Sequence, residues 1–75
     1  MKMTETIYVY LLDEGTDVWR PVEAERVSGS VFKIPSTTQV PDDEEWMFKP
    51  GDVVLCELKK LADGKRLVAT RKQKD

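Results

Sequence analysis

IYVYLLDEGTDVWRPVEAERV, residues 7–27, is the stretch whose reading decides the fold. Its first arm, residues 7–12, alternates β-branched and aromatic side chains, the composition that suits a pleated, half-buried surface. Asp13-Glu14-Gly15-Thr16-Asp17 is turn chemistry: short polar side chains that bond their own backbone, around a glycine free to take positive φ. The second arm, residues 18–27, returns with apolar and charged residues nearly alternating. Two β-rich arms around a glycine-containing loop read as a hairpin. Both faces of the first arm are apolar, so that strand is expected in the middle of the core.

Working outward, Ser28-Gly29-Ser30 reads as a tight turn and residues 31–34 as a third strand, with Phe32 and Ile34 inward and Lys33 outward. Pro35 ends it, because proline lacks the N–H that a ladder needs. Residues 36–45 are polar and close on four consecutive acids, which predicts a mobile surface loop. Trp46-Met47-Phe48 returns to apolar character. Lys49-Pro50-Gly51-Asp52 is a turn signature. Residues 53–58 form a fourth strand, with Val54, Cys56 and Leu58 assigned inward although both faces are largely apolar. Lys59-Lys60-Leu61 extends it toward Asp63-Gly64, a strong hairpin signal that demands positive φ at Gly64. Residues 66–71 are the fifth strand, and residues 72–75 are expected to fray. Glu23-Ala24-Glu25-Arg26 favours helix, but Pro21 and Gly29 leave too little room for one. Five short strands with turns every eight to twelve residues predict an all-β fold, a small five-stranded antiparallel barrel in a single domain. Closure removes exposed edges, and Pro21 is expected at a bulge where the barrel turns a corner.

The chain has 75 residues, 35% charged and 40% hydrophobic, with a formal net charge of −2. At this size only about 60% of the unfolded surface can be buried, so the core is thin. Cys56 is the single cysteine and histidine is absent, so an intramolecular disulfide and the usual zinc-binding patterns are excluded. The lone cysteine, with no export signal behind Lys2, predicts a cytoplasmic protein. No apolar window is long enough to span a membrane, and no membrane partner is expected. Charge is uneven: residues 1–50 sum to −5 and residues 51–75 to +3.

One resemblance is carried by identifiable residues. YVYLLDEGTDVWRPVEAERV, the Val-Phe-Lys-Ile strand, and EEW-x-F-x-PGDVV-x-CE resemble a group of small bacterial proteins with no assigned activity. These share a DVWRPVEA block and an acidic-Trp-x-Phe-x-Pro-Gly block. The likeness spans about residues 7–69. It implies an SH3-like barrel, and it brings no activity with it.

Catalysis at neutral pH without histidine needs a carboxylate, lysine or cysteine with a strongly shifted pKa. Cys56 lies in an apolar strand and reads as a small buried hydrophobe. The carboxylate pairs, Glu23/Glu25 and residues 42–45, look wet, which argues against acid–base work there. Asp13 to Asp17 lacks the spacing of a calcium loop, so neither metal nor cofactor is expected. Trp19, Tyr8, Tyr10 and Trp46 could stack on bases, with Arg20, Arg26, Lys65, Arg66 and Arg71 meeting phosphates. The acidic balance opposes this, since affinity for nucleic acid rests on phosphate neutralisation.

What remains is Trp19-Arg20-Pro21 with Glu45-Trp46. Strict alternation, with Val22 and Ala24 inward, sends Trp19 outward, and tryptophan beside arginine is a common anchor of protein recognition. The competing reading has Trp19 and Trp46 closing the ends of the core, with Arg20 paired to Glu45 or Asp43. The sequence therefore predicts a non-enzymatic protein-interaction module. Its site comprises Trp19, Arg20, Trp46 and Tyr10, and its partner is another protein or a second copy. Single-stranded nucleic-acid binding ranks second.

Overall fold

The computed structural model describes residues 4–62 and 64–73. These hold five strands, β1 (Thr4–Tyr10), β2 (Trp19–Ser28), β3 (Val31–Lys33), β4 (Val53–Leu61) and β5 (Gly64–Lys72), and no helix. Each strand pairs with the next in antiparallel fashion, and the sheet closes into a barrel in the order β1-β2-β3-β4-β5. The closing contact, Tyr8 beside Val68 between β1 and β5, is parallel. The expected antiparallel barrel is present in its four sequential pairings, and only the closing pair is parallel. In a chain that reverses at every connection, the first and fifth strands run in the same direction. The result is an all-β barrel of mixed orientation, consistent with a small SH3-like barrel.

The register of β1 on β2 is regular from Thr4 opposite Glu25 to Tyr10 opposite Trp19. Pro21, opposite Tyr8, causes no bulge. The Leu11 N–H bonds the Val18 carbonyl at 2.9 Å, and pairs alternate along an antiparallel ladder, so Tyr8–Pro21 is a non-hydrogen-bonded pair. The missing N–H of Pro21 therefore points away from β1. β3 pairs with β2 only from Glu25 onward, so no ladder bond is lost there. The bulges lie elsewhere, between Arg26 and Ser28 against β3, and in β5, where Thr70 is the extra residue opposite Leu55 and Cys56.

The core comprises Ile7, Val9, Leu11, Val22, Ala24, Phe32, Ile34, Trp46, Phe48, Val54, Cys56 and Ala69. One face of every strand is thus used, as the alternation implies. Phe32 and Ile34 are fully buried and Lys33 is exposed, as expected. Tyr8 and Tyr10, on the other face of β1, are half-buried. Leu58 shares the face of Val54 and Cys56 but is 69% exposed, which corrects its inward assignment. Strand alternation fixes the face, not the depth. The β4–β5 hairpin runs on to Leu61 and Gly64, past the reach of β3, which pairs only with Val53 to Leu55.

The turn at Lys49–Asp52 follows its sequence signature. Gly51 takes φ +93° and the Asp52 N–H bonds the Lys49 carbonyl at 3.0 Å. Gly64 takes the expected positive φ, +122°, but it pairs with Leu61 as the first residue of β5 instead of lying within the turn; Asp63 lies outside the described residues. Residues 36–45 form no strand and fold through two turns, Thr38 N–H to Pro35 O and Glu44 N–H to Pro41 O, both 3.0 Å. The tail is held further than expected: Lys72 belongs to β5 and the Gln73 N–H bonds the Val53 carbonyl at 2.8 Å. Residues 74–75 lie outside the described residues.

Two outcomes follow from this packing. Gly64→Val forces a β-branched residue into positive φ, with its Cβ 3.3 Å from the Arg66 guanidinium. It should cost about 1–2 kcal/mol, visible as a Tm lower by at least about 4 °C; an unchanged Tm contradicts the hairpin geometry. Cys56 is 2% exposed, and burial pushes its thiol from 9.0 up to about 11. The native thiol should label slowly and the denatured one quickly. Burial favours the neutral thiol, so its contribution to stability is complete below pH 9.0 and is lost as pH rises toward 11. Cys56→Ala should therefore show a shallower alkaline loss of stability than the parent in parallel denaturant titrations.

Candidate functional site

Adjacent residues of a strand point to opposite faces, and on β2 this divides the residues that the sequence places together. Arg20 lies opposite Val9, and Val22 opposite Ile7, on the inward face; Trp19 lies opposite Tyr10, and Pro21 opposite Tyr8, on the outward face. Trp46 is 3% exposed and belongs to the core, which corrects its expected place on an exposed surface beside Trp19. It reaches the core by backbone pairing. Trp46 bridges Leu11, flanked by Met47 N–H to Tyr10 O at 2.9 Å and Leu12 N–H to Glu45 O at 2.7 Å.

Arg20 and Trp46 meet at one mouth of the barrel through Glu44. The Glu44 Oε1 accepts from Arg20 Nε at 3.1 Å and from Trp46 Nε1 at 2.9 Å, and its Oε2 pairs with Arg20 Nη2. The acid is Glu44, rather than Glu45 or Asp43, because it faces both groups at once. The other mouth repeats the device. Arg26 lies 4.9 Å from the centroid of the buried Phe32 ring and pairs with Glu5. The inward face of β2 thus begins and ends in an arginine, each tied to a glutamate and an aromatic. These contacts close a thin core, and they leave Arg20 engaged.

The outward face carries a separate constellation. Tyr10 and Trp19 meet edge to face, with centroids 5.2 Å apart and planes at 69°, the geometry that the ring quadrupoles favour. The Tyr10 hydroxyl donates to Asp17 Oδ1 at 3.0 Å. That hydrogen bond, with the carboxylate's charge, holds the phenol above its ordinary pKa. Lys59 reaches from β4 to place its ammonium 5.5 Å from the Trp19 centroid, within cation–π range. Between them runs an open groove of about 290 Å³, lined by Tyr10, Asp17, Trp19, Met47, Lys59 and the β5 segment from Val68 to Thr70. Val68 pairs with outward-facing Tyr8 and exposed Glu57, yet is only 1% exposed; it belongs to the groove floor and not to the core cluster. Met47, on the rim, is 50% exposed.

Of the four residues expected in one site, the structure brings together Tyr10 and Trp19. Arg20 and Trp46 lie on the other side of β2. The added members, Lys59, Met47 and Val68, carry no local motif; only the outward alternation of β4, with Glu57, Lys59 and Leu61 on one face, hints at the first. The acidic loops, residues 12–14 and 42–45, line a cleft of about 330 Å³. Among the described residues no group of three acids, histidines or cysteines could hold a metal ion, and no helix is long and apolar enough to cross a membrane. No protein-family model, curated protein or solved structure matches the chain.

Glu44→Ala strands the buried Trp46 N–H and should cost about 1–3 kcal/mol. Glu44→Gln keeps an acceptor, and Arg20→Ala removes only one end of a pair that is 43% exposed at the arginine; each should cost about 1 kcal/mol or less. Denaturant melts of the three variants check this order, and equal losses contradict it.

Proposed function

We propose that the chain is a non-enzymatic cytoplasmic interaction module that takes a protein partner, or a second copy of itself, on the outward face of β1 and β2. The observation that carries this reading is the Tyr10–Trp19 pair. Both rings stand outside the barrel core, fixed by Asp17 on one side and Lys59 on the other, beside a groove with the exposed Met47 on its rim. Aromatic side chains already held in place bind without the entropy cost of ordering them, and tryptophan and tyrosine are the residues in which binding energy concentrates. The single thiol is buried and held protonated, which supports a structural role for it. The resemblance to small bacterial barrels adds a fold and no activity.

Single-stranded nucleic acid is the second reading, favoured by Lys59 and its register neighbour Arg66 on the face that carries the rings. Lys59 lies over the Trp19 ring and Tyr10 meets that ring at 69°, so a base has to displace the ammonium before it can stack. Asp17 lines the same groove and repels phosphate. Protein contact tolerates both signs of charge.

Capture from lysate with immobilised wild type and Trp19→Ala, with and without nuclease, tests the proposal. Trp19→Ala should keep the fold and lose the captured protein, nuclease should have no effect, and retention should weaken modestly with salt. A stability loss of about 3–5 kcal/mol in the variant places Trp19 in the core and overturns the reading. Capture that disappears with nuclease favours the second reading.

A further inference from the structure

The groove is bounded by opposite charges at its two ends. Asp17 lines it where β1 and β2 are joined, and the same connection carries Asp13 and Glu14, which line a cleft with the acids at 42–45. Lys59 lines it toward the β4–β5 hairpin, where Arg66 is its register neighbour and Lys60 and Lys65 pair one step further on. β1 runs toward the acidic connection, and β5, parallel to it, runs away from the basic tip. The two charged ends therefore lie at opposite ends of the barrel. Glu57 is on the outward face of β4 but does not line the groove.

This order constrains the occupant. An acidic segment meets repulsion at Asp17 and the loops beside it, and a basic one meets repulsion at Lys59. A fitting partner carries both signs in the reverse order, around an apolar middle that can cover Trp19 and Met47. A second copy turned by a two-fold axis perpendicular to the groove has that pattern, because rotation sets the acidic end of each copy on the basic end of the other. Two-fold contacts are self-complementary in this way, and they close at two copies.

We propose that the groove is the interface of a two-fold homodimer, with Asp17 of each copy facing Lys59 of the other and the Trp19 rings between them. The proposal rests on the reading of the groove as a protein interface and names its occupant. Like-charge contacts across such an interface mainly exclude wrong partners and wrong registers.

The test is sedimentation of the full chain from about 10 μM to about 1 mM, the range in which weak association registers. The wild type should move from 8.6 kDa toward twice that mass at low salt. Asp17→Lys and Lys59→Glu should each weaken the dimer by about ten-fold or more. An equimolar mixture of the two should restore it as a heterodimer, since both cross-contacts are then again of opposite sign. Should Asp17→Lys lose its fold along with the Tyr10 contact, Lys59→Glu and Trp19→Ala still decide the question, because Lys59 is exposed and the half-buried Trp19 stands outside the core cluster. A wild type that stays at 8.6 kDa throughout overturns the dimer. So does a dimer that is indifferent to all three substitutions, or two variants that each stay apart and fail to pair when mixed. If the wild type is monomeric and Trp19→Ala still loses a captured protein, the dimer falls and the interaction reading stands. If Trp19→Ala loses its fold instead, that reading falls by itself.

Discussion

Everything in this molecule depends on how β1 lies against β2. Ile7 opposite Val22 commits Val9, Leu11 and Ala24 to the interior, and the two-residue period of a strand then commits their neighbours to the outside. A shift of one residue would bury Glu23 and Tyr8 and expose Ile7 and Val22, a cost no 75-residue core could absorb. The same register sets Tyr10 against Trp19 and Thr6 against Glu23, whose side chains bond at 3.1 Å. The candidate site is thus the outward consequence of the contacts that build the core.

A small barrel has few layers, so its open ends are its weak points. Here both mouths are closed by the same combination: an arginine from the inward face of β2, a glutamate from another segment, and an aromatic ring. Arg20, Glu44 and Trp46 serve one end, Arg26, Glu5 and Phe32 the other. Exposed ion pairs contribute little by themselves. The value of Glu44 lies in satisfying a buried indole N–H that would otherwise be left without a partner. No buried side-chain polar atom lacks a partner among the described residues, as a core this thin requires.

Much of this was legible in the chain. The hairpin at residues 7–27, the inward set of Val22, Ala24, Phe32 and Ile34, the buried thiol and the positive φ of Gly51 and Gly64 all follow from period and turn chemistry. Three things were not. Pro21 was expected to force a bulge, yet its effect depends on which side of β2 has a neighbour, and that is a property of β3. Leu58 has the right face and the wrong depth, because alternation says nothing of where the barrel ends. Trp46 reaches the interior by pairing with Leu11 across an irregular loop, a contact between segments 35 residues apart that no local pattern announces. The candidate site divides along the same line. Tyr10 and Trp19 share a face by alternation within one hairpin, whereas Lys59, Met47 and Val68 join them only because the barrel closes.

The two tryptophans have opposite fates, Trp46 inside and Trp19 on the outward face. Acrylamide quenching of Trp19→Phe and Trp46→Phe, each leaving a single indole, measures this most directly. The Trp46 emission that remains in Trp19→Phe should be blue-shifted and shielded from the quencher. The Trp19 emission that remains in Trp46→Phe should be redder and more readily quenched at low protein concentration. Equal quenching of the two, or a shielded Trp19 beside an accessible Trp46, would contradict the division of β2 into a core face and a binding face.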